Sequence, residues 1–170
     1  MQINAAHWHL LLNHFPIILS IIATGFLFLS LFIKNSGFRN ASLLMLVAAA
    51  VFAGPAYRTG EGAEDAVEGM ANASEMYLEK HEDIASAALT SVIIAGIIAL
   101  LTMAVIKWKN KWAITMLAIT CIASATSAGF LGYTGFTGGK ITHSEIRNDS
   151  SVPNQPGQKK AKEQNAEDDD

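Results

Sequence analysis

Ile84–Ile106 reads IASAALTSVIIAGIIALLTMAVI. It carries no charge, and its only polar side chains are Ser and Thr. A helix crossing a bilayer needs about 20 mostly apolar residues. A helix in a soluble core keeps a polar face for water, and this stretch has none. The segment therefore reads as a membrane span. Three further uncharged runs flank it: Leu10–Ile33, Ala41–Tyr57 and Trp112–Gly139. The first is not a cleavable signal, because its apolar stretch is too long, it has no basic start and no small-residue cleavage site follows. The fourth is expected to leave its helix near Tyr133, where glycines crowd.

These runs predict an all-α fold: an up-down bundle of four transmembrane helices, at about 10–33, 41–57, 84–106 and 112–134. The domain is expected to cover 1–147, with an acidic helical cap at 58–83. Residues 148–170 form a polar tail too poor in apolar residues to offset the entropy of ordering, and so read as disordered.

The averages conceal this partition. The chain has 170 residues, 51% hydrophobic and 16% charged, with a net charge of −3. Its mean hydropathy is only +0.28. A soluble domain is about 25% charged. The net charge gives no reason to expect nucleic acid. The single cysteine, Cys121, excludes a disulfide framework and a Cys-based zinc site and reads as a small packing residue. No nucleophile–base set and no phosphate-cradling glycine loop is present.

Charge placement sets the expected orientation. The 34–40 link carries Lys34 and Arg39, and the 107–111 link carries Lys107, Lys109 and Lys111, with no acid in either. The 58–83 link holds most of the acids. Short basic links belong in the cytoplasm. Both termini and the acidic link are then extracytoplasmic. Trp8, Tyr57 and Tyr133 at one boundary, and Trp108 and Trp112 at the other, read as interfacial anchors. Thr120, Ser124, Ala128 and Gly132, beside Cys121, Ala125 and Gly129, are expected to let the fourth helix pack closely, as are Ala50 and Gly54 in the second. Ser74 is a candidate N-cap for the third helix. Tyr57-Arg58-Thr59-Gly60 and Tyr133-Thr134-Gly135, each with a His near the start of its hairpin (His14 and His81), form a faint internal echo.

All five histidines fall on one side of such a bundle. His7, His9 and His14 open the first helix, His81 opens the third and His143 closes the fourth. His7 and His14 share a helix face but lie about 10 Å apart along it, so a shared site must draw on different helices. Imidazole ligates transition metals and haem iron. His14 lies deepest, and intramembrane ionisable groups favour the bundle interior. It is the first choice to pair with His81, with His9 and His143 as further ligands. Its plainer role is a hydrogen bond capping the turn before Pro16. His7 reads as an interfacial residue. Glu61, Glu64, Glu82 and Glu145 are candidates to orient the imidazoles or to bind metal themselves.

His9-Leu-Leu-Leu-Asn-His14-Phe15-Pro16 resembles the opening of uncharacterised bacterial four-helix membrane proteins, whose first helix begins His-Pro-x-x-Val-His-Phe-Pro. A subgroup is similar also at Thr59-Gly60-Glu61-x-Ala63-Glu64, Glu79-x-His81-Glu82 and Gly138-Gly139-x-Ile141-x-His143-x-Glu145. Leu10 stands where the broader family has Pro. The resemblance implies a multi-pass bacterial membrane protein, of a kind sometimes joined to cytochrome c-like modules. It favours His9, His14, His81 and His143 over His7.

The expectation is an integral membrane protein whose extracytoplasmic His/Glu cluster binds haem b or a transition metal, for electron transfer or metal handling. Its redox partner is expected to be a cytochrome c-like protein or a quinone. The alternatives are a quinol-oxidising subunit of a membrane enzyme and a non-catalytic membrane partner or assembly factor.

Overall fold

The computed structural model describes residues 4–33, 35–68, 70, 72–108 and 111–147. The first span is two helices in near-continuity, α1 (Ala5–Leu12) and α2 (His14–Ile33). They break at Asn13. Pro16 has no N–H to give the carbonyl of residue 12, and its ring crowds that carbonyl. The second span is α3 (Ser36–Val67), the third α4 (Glu75–Lys107) and the fourth α5 (Ala113–Thr142), followed by a short 3-10 turn at Ser144–Ile146. All four spans are long and apolar enough to cross a membrane. Packing runs round a ring: α2 on α3, α3 on α4, α4 on α5 and α5 back on α2, with α1 on α3. The first and third spans are thus diagonal neighbours. Both face the axis, and both begin at the end of the bundle that holds the histidines, called here the His end. The opposite end carries the basic links. Lys34, Lys109 and the 148–170 tail lie outside the described residues.

Helix ends follow local chemistry. Asn4 and Asn35 cap α1 and α3, their side-chain oxygens accepting from the N–H of His7, and of Gly37 and Phe38. Ser74 occupies the N-cap of α4, but its hydroxyl makes no capping bond. Its carbonyl accepts from the N–H of Tyr77 and Leu78, and its own N–H donates to Ile141 O. At the far end of α5, Arg147 donates to the carbonyls of Lys140 and Ile141 and to Asn72 in the turn before α4. These bonds cap carbonyls that the helix end leaves bare.

Two helices outrun their expected ends. α3 continues through Pro55 and the acids to Val67, and α5 continues past its glycines to Thr142. The acidic helical cap is thus built from the outer ends of α3 and α4. The interior is small and partly hydroxylic. Ala23, Leu27, Leu43, Leu46, Ala95 and Ala99 form one core cluster, with Cys121 packed against it. Within the bundle core helices approach closely at Gly96, where a Cβ would stand 2.7 Å from that of Ala50. The packing row of α5 is Thr120, Ser124, Ser127 and Leu131. Gly129 and Gly132, expected there, have open space around them, as does Gly54. The outside is apolar: Ile97, Leu100, Leu101, Ile114 and Ile122 are all more than half exposed. Lipid, not water, suits such a surface.

Candidate functional site

A cleft of about 500 Å³, counted to its open mouth, lies within the bundle at the His end. Two imidazoles line it, His9 from the first span and His81 from the diagonally opposite third. Their ring centroids are 6.4 Å apart and the ring planes nearly perpendicular, at 84°. His9 Nδ1 donates to Ala56 O at 2.9 Å, and His81 Nδ1 donates to Thr134 O at 3.0 Å. A carbonyl can only accept, so each Nδ1 holds the ring proton and each Nε2 keeps a free lone pair. Backbone carbonyls often orient metal-binding imidazoles in this way.

The two cradles share one design. The carbonyl that receives His9 also accepts from Thr59 Oγ1 three residues on, at 2.9 Å. The carbonyl that receives His81 also accepts from Thr137 Oγ1 three residues on, at 3.0 Å. A glycine follows each threonine, and each faces the Nδ1–Cε1 edge of its ring. A Cβ on Gly60 would lie 3.6 Å from His9 Cε1, and one on Gly138 only 3.0 Å from His81 Cε1.

The correspondence extends to the whole cleft. The spacing from His9 to His81 also carries Asn13 to Ala85, Pro16 to Ala88 and Ile17 to Leu89. The spacing from Ala56 to Thr134 carries Ala53 to Leu131 and Tyr57 to Gly135. All fourteen are the lining residues. The cleft thus lies between two equivalent helical hairpins. The echo visible in the sequence is real in this sense, but its register differs: His9, not His14, matches His81, and Gly60 matches Gly138.

The other histidines stand apart. His14, the first choice to pair with His81, is exposed, and its Nδ1 donates to Leu10 O at 2.7 Å. That is the capping role at the Pro16 break. A residue five positions from His9 points elsewhere around the helix. His7 is exposed and bonds Asn4 Oδ1 at 2.6 Å. His143 is exposed and pairs with Glu145 at 2.8 Å. The Glu145 carboxyl is held below its ordinary range, first by its own backbone N–H and then by His143.

The acids do not orient the two cleft imidazoles; carbonyls do. Glu61 is exposed. Glu64 meets Glu82 across α3 and α4, and its carboxyl is raised above the ordinary range. The largest cause is the hydrogen bond with Glu82, then burial, then repulsion by Glu82 and Asp65. Tyr57, expected only as an anchor, and Asn13 are cleft residues that sequence reasoning missed. Asn13 Oδ1 is buried with no partner among the described residues.

The family's sequence profile matches residues 7–146, which spans both cradles and all four helices. The chain belongs to the DUF2231 family of predicted membrane proteins. No curated protein and no solved structure matches it. The DUF2231 match begins at His7 and ends at Ile146, so it takes in His9 and His81 and leaves out the polar tail.

Proposed function

We propose that this DUF2231 protein is a membrane electron-transfer protein that holds haem b between His9 and His81. The supporting observation is the pair itself: two imidazoles from diagonal helices, each tied by Nδ1–H, with rings 6.4 Å apart. His9 and His81 would hold the group through the Nε2 lone pairs that the Nδ1–H bonds leave free. A lone metal ion takes three or four protein ligands. Among the described residues no group of three or more His, Cys, Asp or Glu is placed to supply them. Haem iron needs fewer ligands from the protein, and the small walls, Ala53, Ala56, Ala85 and Ala88, would suit a flat apolar group beside the rings. The group would supply one-electron chemistry. The chain's own part is to fix both tautomers and exclude water. By the charge of its links the cleft faces the extracytoplasmic side of a bacterial inner membrane, where a cytochrome c-like protein or a quinone would exchange electrons with it.

The test is the absorption spectrum of the purified protein. A reducible Soret and α band is expected, lost in His9→Ala and in His81→Ala and kept in His14→Ala. Bound transition metal without haem would move the reading to metal handling. Neither haem nor metal, in a folded bundle, would overturn the site.

A second reading has its own observation. His9 and His81, each with a lone pair left on Nε2, line the cleft with Asn13, whose Oδ1 has no partner among the described residues. A quinol, which brings two hydroxyl donors, would bond two of these acceptors without a metal. Binding of a quinol analogue by haem-free protein, lost in Asn13→Ala, would favour it.

A further inference from the structure

The two halves keep their correspondence down to the end of the bundle that carries the basic links. The spacing from His9 to His81 also carries Ser20 to Val92, Thr24 to Gly96 and Ser30 to Thr102. The spacing from Ala56 to Thr134 carries Leu46 to Ser124, Ser42 to Thr120 and Arg39 to Leu117. Ser30, Thr102, Ser42 and Thr120 are all buried, so the register holds there. Leu117 belongs to the core cluster, together with Leu27, Leu43 and Ala99. An arginine therefore stands where the other half has a buried leucine.

The helix itself turns Arg39 the same way. Residues three and four apart share a helix face, and Ser42 and Leu43 are fully buried. Arg39 is half-buried. Its Nε is shut off from solvent and has no hydrogen-bond partner among the described residues. A guanidinium is always charged, and a charge turned toward a bundle interior needs a counter-charge. The chain has none to offer at this end. Its fifteen acids lie at 61–83 and from Glu145 onward, on segments that meet the bundle at its His end.

The counter-charge then comes from outside the chain. Arg39 lies in the first turn of α3, and Trp108, exposed at the same end, is the kind of residue that sits at headgroup level. The anion at that depth is a lipid phosphate. A guanidinium matches phosphate with two parallel N–H bonds. A zwitterionic lipid carries its own cation beside the phosphate, whereas an anionic lipid leaves the phosphate unpaired. We propose that Arg39 binds the phosphate of an anionic phospholipid in the leaflet at the basic-link end. The lysines of the two links, of which Lys107 and Lys111 are exposed, add only long-range attraction. The site does not depend on what the histidines bind.

The test gives the full chain, in detergent micelles, an equimolar mixture of phosphatidylglycerol and phosphatidylcholine, and counts retained lipid by native mass spectrometry. Phosphatidylglycerol is expected to be retained several-fold over phosphatidylcholine. Arg39→Leu, which gives the first half the residue of the second, is expected to bring the two to parity; Arg39→Gln serves the same purpose if the leucine variant does not fold. Lys107→Gln/Lys111→Gln is expected to keep the preference. Parity in the wild type overturns the site, whatever the variants do. A preference that survives at full size in the Arg39 variants, or that vanishes with the two lysines, marks diffuse attraction to a basic surface and also overturns it. Thermal midpoints separate the sources of phosphate: phosphatidylglycerol is expected to raise the wild-type midpoint, and inorganic phosphate at the same concentration to leave it unchanged. Equal protection by inorganic phosphate overturns the lipid assignment.

Discussion

The His9 cradle and the His81 cradle use the same parts at different tightness. In both, one carbonyl receives an imidazole and a threonine hydroxyl, and a glycine makes room for the ring. In the first half the glycine is spacious; in the second it is in contact. Thr137 is fully buried, whereas Thr59 is only half-buried. Gly96 of the second half is pressed against Ala50, while its counterpart Thr24 has space for a whole side chain and a bond to Ser124. One backbone arrangement thus supports a rigid half and a looser half, so matched substitutions in the two should have unequal effects.

The largest single loss is expected at the helix crossing. Gly96→Thr gives the second half the residue of the first. Its Cβ would meet that of Ala50 at 2.7 Å, and Ala50 has no side-chain torsion with which to move away. The helices must part, at a cost of about 2–3 kcal/mol. Thr24→Gly removes a hydrogen bond and adds a flexible residue, together about 1.5–2 kcal/mol. Thermal unfolding in detergent would rank them; equal losses would erase the distinction between the halves.

The glycines under the rings come next, and here the signs should differ. Gly138→Ala forces His81 off Thr134 O, with an overpacking cost of about 1 kcal/mol or more and loss of whatever the imidazoles bind. Gly60→Ala meets His9 only at ordinary contact distance, and Ala is favoured over Gly in a helix by about 0.5–1 kcal/mol. Its midpoint should hold or rise, with binding retained. A loss of binding in both variants would make the cradles equally tight.

Much of this was legible before any coordinates. Uncharged runs fixed four helices because a bilayer leaves no alternative for the backbone, and five histidines at one end followed from up-down topology alone. The pairing was not legible. Depth favoured His14, but Pro16 breaks the helix at Asn13, and His14 is spent on the carbonyl of Leu10. His9 faces inward because of where α1 lies on α3, a tertiary fact. The signal that could have found it was the two Thr-Gly steps, Thr59-Gly60 and Thr137-Gly138. The echo drawn through the tyrosines missed it, because Tyr57 matches Gly135, two positions beyond Tyr133. The length of α3 was hidden for another reason: acids and Gly60-Glu61-Gly62 suggest an ending, yet packing on α1 carries the helix on. A Cβ at Gly62 would collide with that of Ala5.

The threonines offer a smaller contrast. Thr137→Val leaves size nearly unchanged and removes a hydroxyl that bonds Thr134 O and approaches His81 Nδ1 at 3.4 Å. In a buried site about 1 kcal/mol is expected. Thr59→Val should cost less than half of that, since Thr59 is partly exposed. If the two losses match, burial does not separate the cradles.

The least effect belongs to the acids where α3 and α4 leave the bundle. Glu64 has its proton held by Glu82, so its carboxyl is raised in the folded protein above the ordinary value of 4.5. Below that value the carboxyl is protonated in both the folded and the unfolded chain, and the hydrogen bond is intact. As pH rises through the folded-state value the proton leaves, two carboxylates face each other, and the stabilisation is lost. Wild-type stability should therefore fall from pH 4.5 toward neutrality for this pair. Glu64→Gln keeps a donor toward Glu82 at every pH and should flatten that part of the profile. Water screens so open a site, and the difference should stay under about 0.5 kcal/mol. Thermal midpoints of the two proteins across this range decide it: parallel profiles would mean that the acids are only solvated ends of two helices, and that the coupling between α3 and α4 lies wholly in the membrane.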